Sequence, residues 1–238
     1  MQLPFLESAY RQAHTTRTKP IPGLSMEDLD PVIPFDSKGY IYGWFQSNPV
    51  HLRISKARSS KFGDYRAPVK QYPAKISVNR NLNKFDFLIT LVHEMAHHEV
   101  WMEATKPVPF LGIRKRVRRP LPHGKEWKAH YQRLMNPLLT ESVFPSEILH
   151  HIVRHFENPR SSSKANEHLV IALKEYDLPD NTVFIDSLPL DTVFALPSGR
   201  KFRKGEKLRK RYRCLCLDNR RIYLFSPVAR VIPLNSVH

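Results

Sequence analysis

Five consecutive residues of this chain, His93-Glu-Met-Ala-His97, carry the groups of a metal-assisted hydrolysis. Two imidazoles four residues apart lie on one face of a helix and can share one tetrahedral ion. The carboxylate of Glu94 sits beside that face, placed to take a proton from an attacking water and pass it to a leaving amine. On a strand or a loop the same five letters would mean little, so the chemistry depends on the helix. A hydrolytic ion also needs a third protein ligand and one open position. His123, within Pro122-His-Gly-Lys-Glu-Trp127, stands at the start of the next helical stretch, where Gly124 allows close backbone approach. Glu126 and His130 on the same stretch are alternatives, whereas His98 and Glu99 fall on the other side of the first helix. A ligand set continuing with Gly at 100 and His at 103 is excluded, because Val100 and Glu103 stand there.

The elements around the motif follow from pattern. Asn83 caps a helix, Asp86 lies in its first turn where the positive dipole end favours a carboxylate, and Phe85, Leu88, Val92, Met95 and Ala96 recur at helical spacing. The helix should run to about Glu103 and stop before Pro107. Upstream, Val50–Ser55 and Ala74–Asn79 alternate as half-buried strands do, and Gly63-Asp64 between them reads as a turn, which suggests two or three antiparallel strands. Downstream, a helix from about Gly124 to Asn136 is ended by Pro137. Another begins with Ser146 as cap and carries a stripe of Ile148, Leu149, Ile152, Val153 and Phe156.

Before Val50 the chain is weakly patterned: Pro20, Pro22, Pro31 and Pro34 interrupt any long helix, and a short one near Pro4–His14 is the most that fits. Pro159–Lys164 reads as a linker and His168–Tyr176 as one more helix. The pattern then changes to short alternating runs at Thr182–Ile185, Thr192–Leu196, Tyr212–Leu217, Ile222–Phe225 and Ala229–Ile232, a small antiparallel sheet or barrel. The expected organisation is therefore an N-terminal segment (1–49), an α+β catalytic domain (50–158), a linker and helix (159–177) and a small basic all-β module (178–238).

The helix Phe87–His97, Pro122–Lys128, and the upstream Lys61–Arg66 and Ile76–Asn79 together resemble the SprT-like metallopeptidases, the group that includes Spartan. The resemblance covers Val50 to Met135 and extends more faintly to Tyr212-Arg-Cys214 and Arg221–Leu224. It implies a zincin-like fold, one zinc ion held by His93, His97 and His123, and Glu94 as catalytic base. In Spartan-type members the substrate is protein trapped on DNA, with cleavage stimulated by DNA. The C-terminal module departs from the pattern: relatives with a zinc ribbon there use four cysteines, and this chain has Cys214 and Cys216 alone. Two thiols without another ligand pair cannot close a structural zinc site, so they read as strand thiols packed in or near a core.

The charge points the same way as the resemblance. In 238 residues, 38 Lys and Arg face 22 Asp and Glu, a formal +16, which favours polyanions. Between Arg200 and Arg230 twelve cations face two acids, and Lys201, Arg203, Lys204, Lys207, Arg209, Lys210, Arg211 and Arg213 are candidate phosphate contacts. Arg114, Lys115, Arg116, Arg118 and Arg119, just before His123, form a second basic run. The interleaved Phe202, Tyr212, Tyr223 and Phe225 are expected in the core, as strand aromatics usually are. Neither a signal-type N-terminus nor a membrane-length apolar run is present, so the expected setting is cytoplasmic, nucleoid-associated if DNA is bound. The leading expectation is a zinc-dependent metalloprotease acting on DNA-associated protein. The alternative is a non-enzymatic nucleic-acid-binding protein whose metal is closed by a fourth side chain, Glu126 or His130. A hydrolase acting on a small or cell-wall peptide is a weaker third reading. His130 and Tyr131 are the nearest groups in sequence that could stabilise an oxyanion.

Overall fold

The computed structural model describes residues 27–58, 61–106, 121–157 and 166–234. The segments expected near Pro4–His14, Arg114–Arg119 and Pro159–Lys164 lie outside them. The chain divides into two units, Met1–Ser161 and Ser162–His238.

The first unit is built around one helix. Helix α1 (Lys38–Ser47) precedes strands β1 (Val50–Ser55), β2 (Gly63–Arg66) and β3 (Ala74–Asn79), followed by α2 (Lys84–Thr105), α3 (Lys125–Met135) and α4 (Ser146–Glu157). Asn83 caps α2 as expected, its side chain accepting from the N–H groups of Phe85 and Asp86. Phe85, Leu88, Val92, Met95 and Ala96 are all buried, but so are Asp86, Thr90, Glu94 and His98. A helix enclosed nearly all round needs partners on several sides, and α2 has them in β2, β3 and α3. The residues before Val50 join this unit rather than standing apart: Trp44 of α1 is buried and donates its indole N–H to Glu99 of α2 at 2.9 Å. On α4, Ile148, Ile152 and Phe156 are buried, while Val153 is 44% exposed and falls off the stripe.

The small sheet departs from the expected antiparallel arrangement. Its order is β1-β3-β2, with β1 parallel to β3 and β2 antiparallel to β3. Alternation marks a strand but carries no information on direction. Gly63-Asp64 is not a turn either, for both residues belong to β2 and pair with Val78 and Ser77. Asn79, fully buried at the end of β3, fixes the approach to β2: its Nδ2 donates to Arg58 O and Lys61 O, and its Oδ1 accepts from Arg58 Nε.

The second unit holds helix α5 (Glu167–Lys174), capped by Asn166, and six strands: β4 (Val183–Phe184), β5 (Val193–Ala195), β6 (Lys201–Lys207), β7 (Tyr212–Cys216), β8 (Ile222–Phe225) and β9 (Arg230–Pro233). They form one antiparallel sheet in the order β4-β9-β5-β6-β7-β8. One face carries the core: Phe194, Phe202, Tyr212, Cys214, Cys216 and Val231 are buried, with Tyr223 and Phe225 packed against them. Both cysteines are free and fully buried, as their strand spacing suggested.

Lys204 corrects the basic-face expectation. It lies on the inner face of β6, is 4% exposed, and donates to the carbonyls of Asp186 and Leu188 above the ring of Tyr212. A lysine there is available to its own backbone carbonyls and not to a phosphate. Replacing it by Met strands both carbonyls, so Lys204→Met should lower the stability of this unit by about 1–3 kcal/mol in a denaturant titration. It should leave the salt dependence of any nucleic-acid affinity unchanged.

Candidate metal centre

Helix α2 sets His93 and His97 one turn apart, and the turn before α3 brings His123 to them. The three Nε2 atoms form a triangle with edges of 3.3 Å (His93–His97), 3.1 Å (His97–His123) and 3.1 Å (His93–His123). A tetrahedral ion with nitrogen bonds of ~2.0–2.1 Å separates its ligand atoms by ~3.3 Å, so the triangle fits such an ion. Hydrogen bonding alone does not explain it, since three neutral imidazoles aiming one nitrogen each at a common point leave lone pairs facing one another. Among the described residues this is the only group of three or more His, Cys, Asp or Glu side chains that could hold a metal ion. His130 is not available to it, because Nδ1 meets Glu99 at 2.8 Å and Nε2 meets Glu103 at 2.7 Å. Glu126 is not part of the cluster.

His123 reaches the triangle at a backbone cost. Its φ is 57°, in the left-handed region that few residues with a Cβ adopt and that concentrates at functional sites. Gly124 follows, donating its N–H to Leu121 O at 2.9 Å. A Cβ on Gly124 would lie 3.0 Å from that same oxygen, so the tight turn favours glycine. Behind the imidazoles stands Trp127 of α3, 1% exposed. Its ring centroid lies 4.6 Å from His93 and 4.7 Å from His123, and its indole N–H reaches His93 O at 3.3 Å. Tyr131 extends this wall, its hydroxyl donated to Ile89 O at 3.4 Å. Buried and so engaged, Tyr131 is no oxyanion donor, and His130 is held by its two glutamates; both expectations are set aside.

Glu94 is not a ligand. It turns toward β2, where the Tyr65 N–H donates to its carboxylate. Gly63 makes that position possible. A Cβ added there would lie 2.4 Å from Glu94 Oε1, 2.8 Å from Glu94 Cγ and 2.8 Å from Thr90 Cγ2, closer than atoms can sit. Sequence reasoning missed Gly63 because Gly-Asp reads as a turn. Only the helix packed against β2 shows what the missing side chain is for.

Electrostatics suit metal binding by the imidazoles. Burial, then the neighbouring His97 and His123, holds His93 down to about 2. Burial and His123 hold His97 down to about 4, and burial lowers His123. All three imidazoles are therefore neutral near pH 7, with lone pairs free for a metal. Burial, followed by the charge of Asp64, pushes Glu94 up to about 8, against the pull of Lys61, the Tyr65 N–H and Arg58, so without a nearby cation Glu94 is mostly protonated near pH 7.

These shifts have opposite consequences for the metal-free protein. The unfolded chain takes up imidazole protons below pH 6.5 that the folded state refuses, so stability falls as pH drops from 6.5 toward 4. Glu94 works the other way, costing stability as pH rises from 4.5 toward 8. Three imidazoles outweigh one carboxylate between pH 6.5 and 4.5, so melting of the metal-free protein should move to lower temperature as the solution is acidified there. Metal affinity of the folded state should fall less steeply over the same interval than imidazoles titrating at 6.5 would give, because all three are held below that value. Competition titrations at pH 7, 6 and 5 distinguish the two behaviours.

The basic residues divide. Lys201, Arg203, Arg209, Lys210, Arg211 and Arg213 are exposed. Lys207 is exposed but paired with Asp186 at 2.8 Å, and Lys204 is buried. No helix among the described residues is long and apolar enough to cross a membrane. No protein-family model, curated protein or solved structure matches this chain.

Proposed function

We propose that this chain is a zinc-dependent peptidase acting on nucleic-acid-associated protein. The observation that carries the reading is the convergence of three neutral imidazole nitrogens at 3.1–3.3 Å beside a separately held carboxylate. His93, His97 and His123 would hold the ion, which supplies a Lewis acid and lowers the pKa of water. The Tyr65 N–H and the space at Gly63 draw Glu94 toward β2, so it would not serve as a ligand to that ion. The charge of an ion held by the imidazoles would favour the ionised form of Glu94, whose carboxylate then takes the proton of the attacking water and returns it to the departing amine nitrogen. Trp127 and Tyr131 keep solvent from the imidazoles on the α3 side and fix the ring planes.

The catalytic reading is favoured over a closed structural site by the engagement of His130 with Glu99 and Glu103, which removes one of the two side chains suited to a fourth ligand. Nucleic-acid association is supported by the exposed cations Lys201, Arg203, Arg209, Lys210, Arg211 and Arg213 on β6, β7 and the connection between them. The aromatics of the same sheet are turned to its core, so phosphate contact rather than base stacking is the mode these residues offer. The test is cleavage of a DNA-bound basic protein by the zinc-loaded chain, with and without DNA. Cleavage that rises with DNA supports both halves of the proposal. Cleavage indifferent to DNA keeps the peptidase and removes the nucleic-acid half, and no cleavage by zinc-loaded protein removes the peptidase.

A further inference from the structure

Toward the C-terminal end of α2, where β3 begins, lies a pocket of about 320 Å³, walled by Pro68, Tyr72, Pro73, Trp101 and Met102, with His98 at its base. That volume is at the low end for ligand sites, suited to one bulky side chain rather than a cofactor. Of its rim, Tyr72 is 66% and Met102 38% exposed, beside the polar Lys70 and Gln71. The turn Val69–Tyr72 that forms its rim puts Lys70 at a φ of 53°, a strained conformation of the sort found at ligand clamps. His98 is 1% exposed, and its Nε2 has no hydrogen-bond partner, while Nδ1 meets the Tyr65 hydroxyl at 3.2 Å. Above this buried imidazole, prolines and the rings of Tyr72 and Trp101 present flat faces, which complement a planar ring better than a branched aliphatic chain.

Position relates the pocket to the proposed chemistry. Glu94, His98 and Trp101 stand at i, i+4 and i+7 and share one face of α2. At 1.5 Å per residue, His98 and Trp101 lie roughly 6 and 10 Å along the helix from Glu94. An extended polypeptide advances about 3.3 Å per residue, so these offsets correspond to two or three substrate residues. Strand β2 runs from Gly63 beside Glu94 through Tyr65, and the chain continues to Pro68 at the pocket wall, linking the two places.

We infer that this pocket binds an aromatic side chain of an extended protein substrate, two or three residues from the bond that is cut. The inference rests on the peptidase reading, and its test separates the two. A fluorescently labelled ten-residue peptide series, identical except for Tyr, Phe or Ala walked along the chain, is titrated into full-length Glu94→Gln protein by anisotropy. The same series is then offered to the wild type for cleavage. Aromatic peptides should bind roughly tenfold more tightly than the alanine peptide at the matching register. Trp101→Ala should erase that preference and leave the alanine peptide unaffected. Tyr72→Ala, at a surface position where folding is not at risk, should reduce it severalfold. Equal binding of aromatic and alanine peptides at every register, or variants that weaken both alike, overturns the pocket assignment. Cleavage without aromatic preference also overturns it and leaves the peptidase intact. An aromatic preference in binding without cleavage by the wild type upholds the pocket and removes the peptidase.

Discussion

Glu94→Gln should keep the metal and lose about 10²–10⁴-fold in turnover of any protein substrate the wild type cleaves. The amide is nearly isosteric with the carboxylate and can still pack beside Gly63 and Thr90, so the fold and the imidazole triangle are preserved. What it cannot do is accept a proton. Metal content measured beside turnover separates this from damage to the site, since Glu94 meets the Tyr65 N–H and not the metal cluster. A Glu94→Gln protein that cleaves at the wild-type rate removes Glu94 from the chemistry, whatever ion is bound.

Gly63→Ala should cost about 10²-fold in kcat with metal content and KM little changed, a size expected when a catalytic group is displaced by about 1 Å. The new methyl would need to occupy space 2.4 Å from Glu94 Oε1 and 2.8 Å from its Cγ. The carboxylate is the softer partner, because the Gly63 backbone is fixed by pairing with Val78 and by the Asn79 bonds at the start of β2. Glu94 therefore moves, and the water it serves is left out of reach. Gly39→Ala is the matched control, with nothing within 4 Å of the added Cβ and a helical position where alanine is preferred. A Gly63→Ala protein with unchanged kcat would show that Glu94 does not depend on that space.

The legibility of this molecule in its sequence differs by residue for physical reasons. His93, Glu94 and His97 were readable because helix periodicity alone fixes their mutual geometry. His123 was readable only as one of several candidates, since its place depends on a left-handed residue and on how α3 packs back upon α2. Gly63 was misread because an absent side chain signals a turn as readily as a close approach. The parallel pairing of β1 with β3 was misread because alternation is blind to direction. Strand β6 went unseen: in Lys-Phe-Arg-Lys-Gly-Glu-Lys the inward residues are Phe202 and Lys204, and a buried lysine hides the alternation. Helix α1 went unassigned although Trp44 and Phe45 are buried, because prolines on either side obscured a single ten-residue element.

The central claim is that three histidines hold one catalytic metal ion and leave a position open. X-ray absorption at the zinc edge, on protein loaded with zinc and dialysed, tests it most directly. The expected result is about one zinc per chain, bound by three imidazoles and one light-atom ligand that exchanges when a small anion such as azide is added. Wild-type protein that retains no zinc, or a fourth imidazole or a protein carboxylate that no added anion displaces, would contradict it.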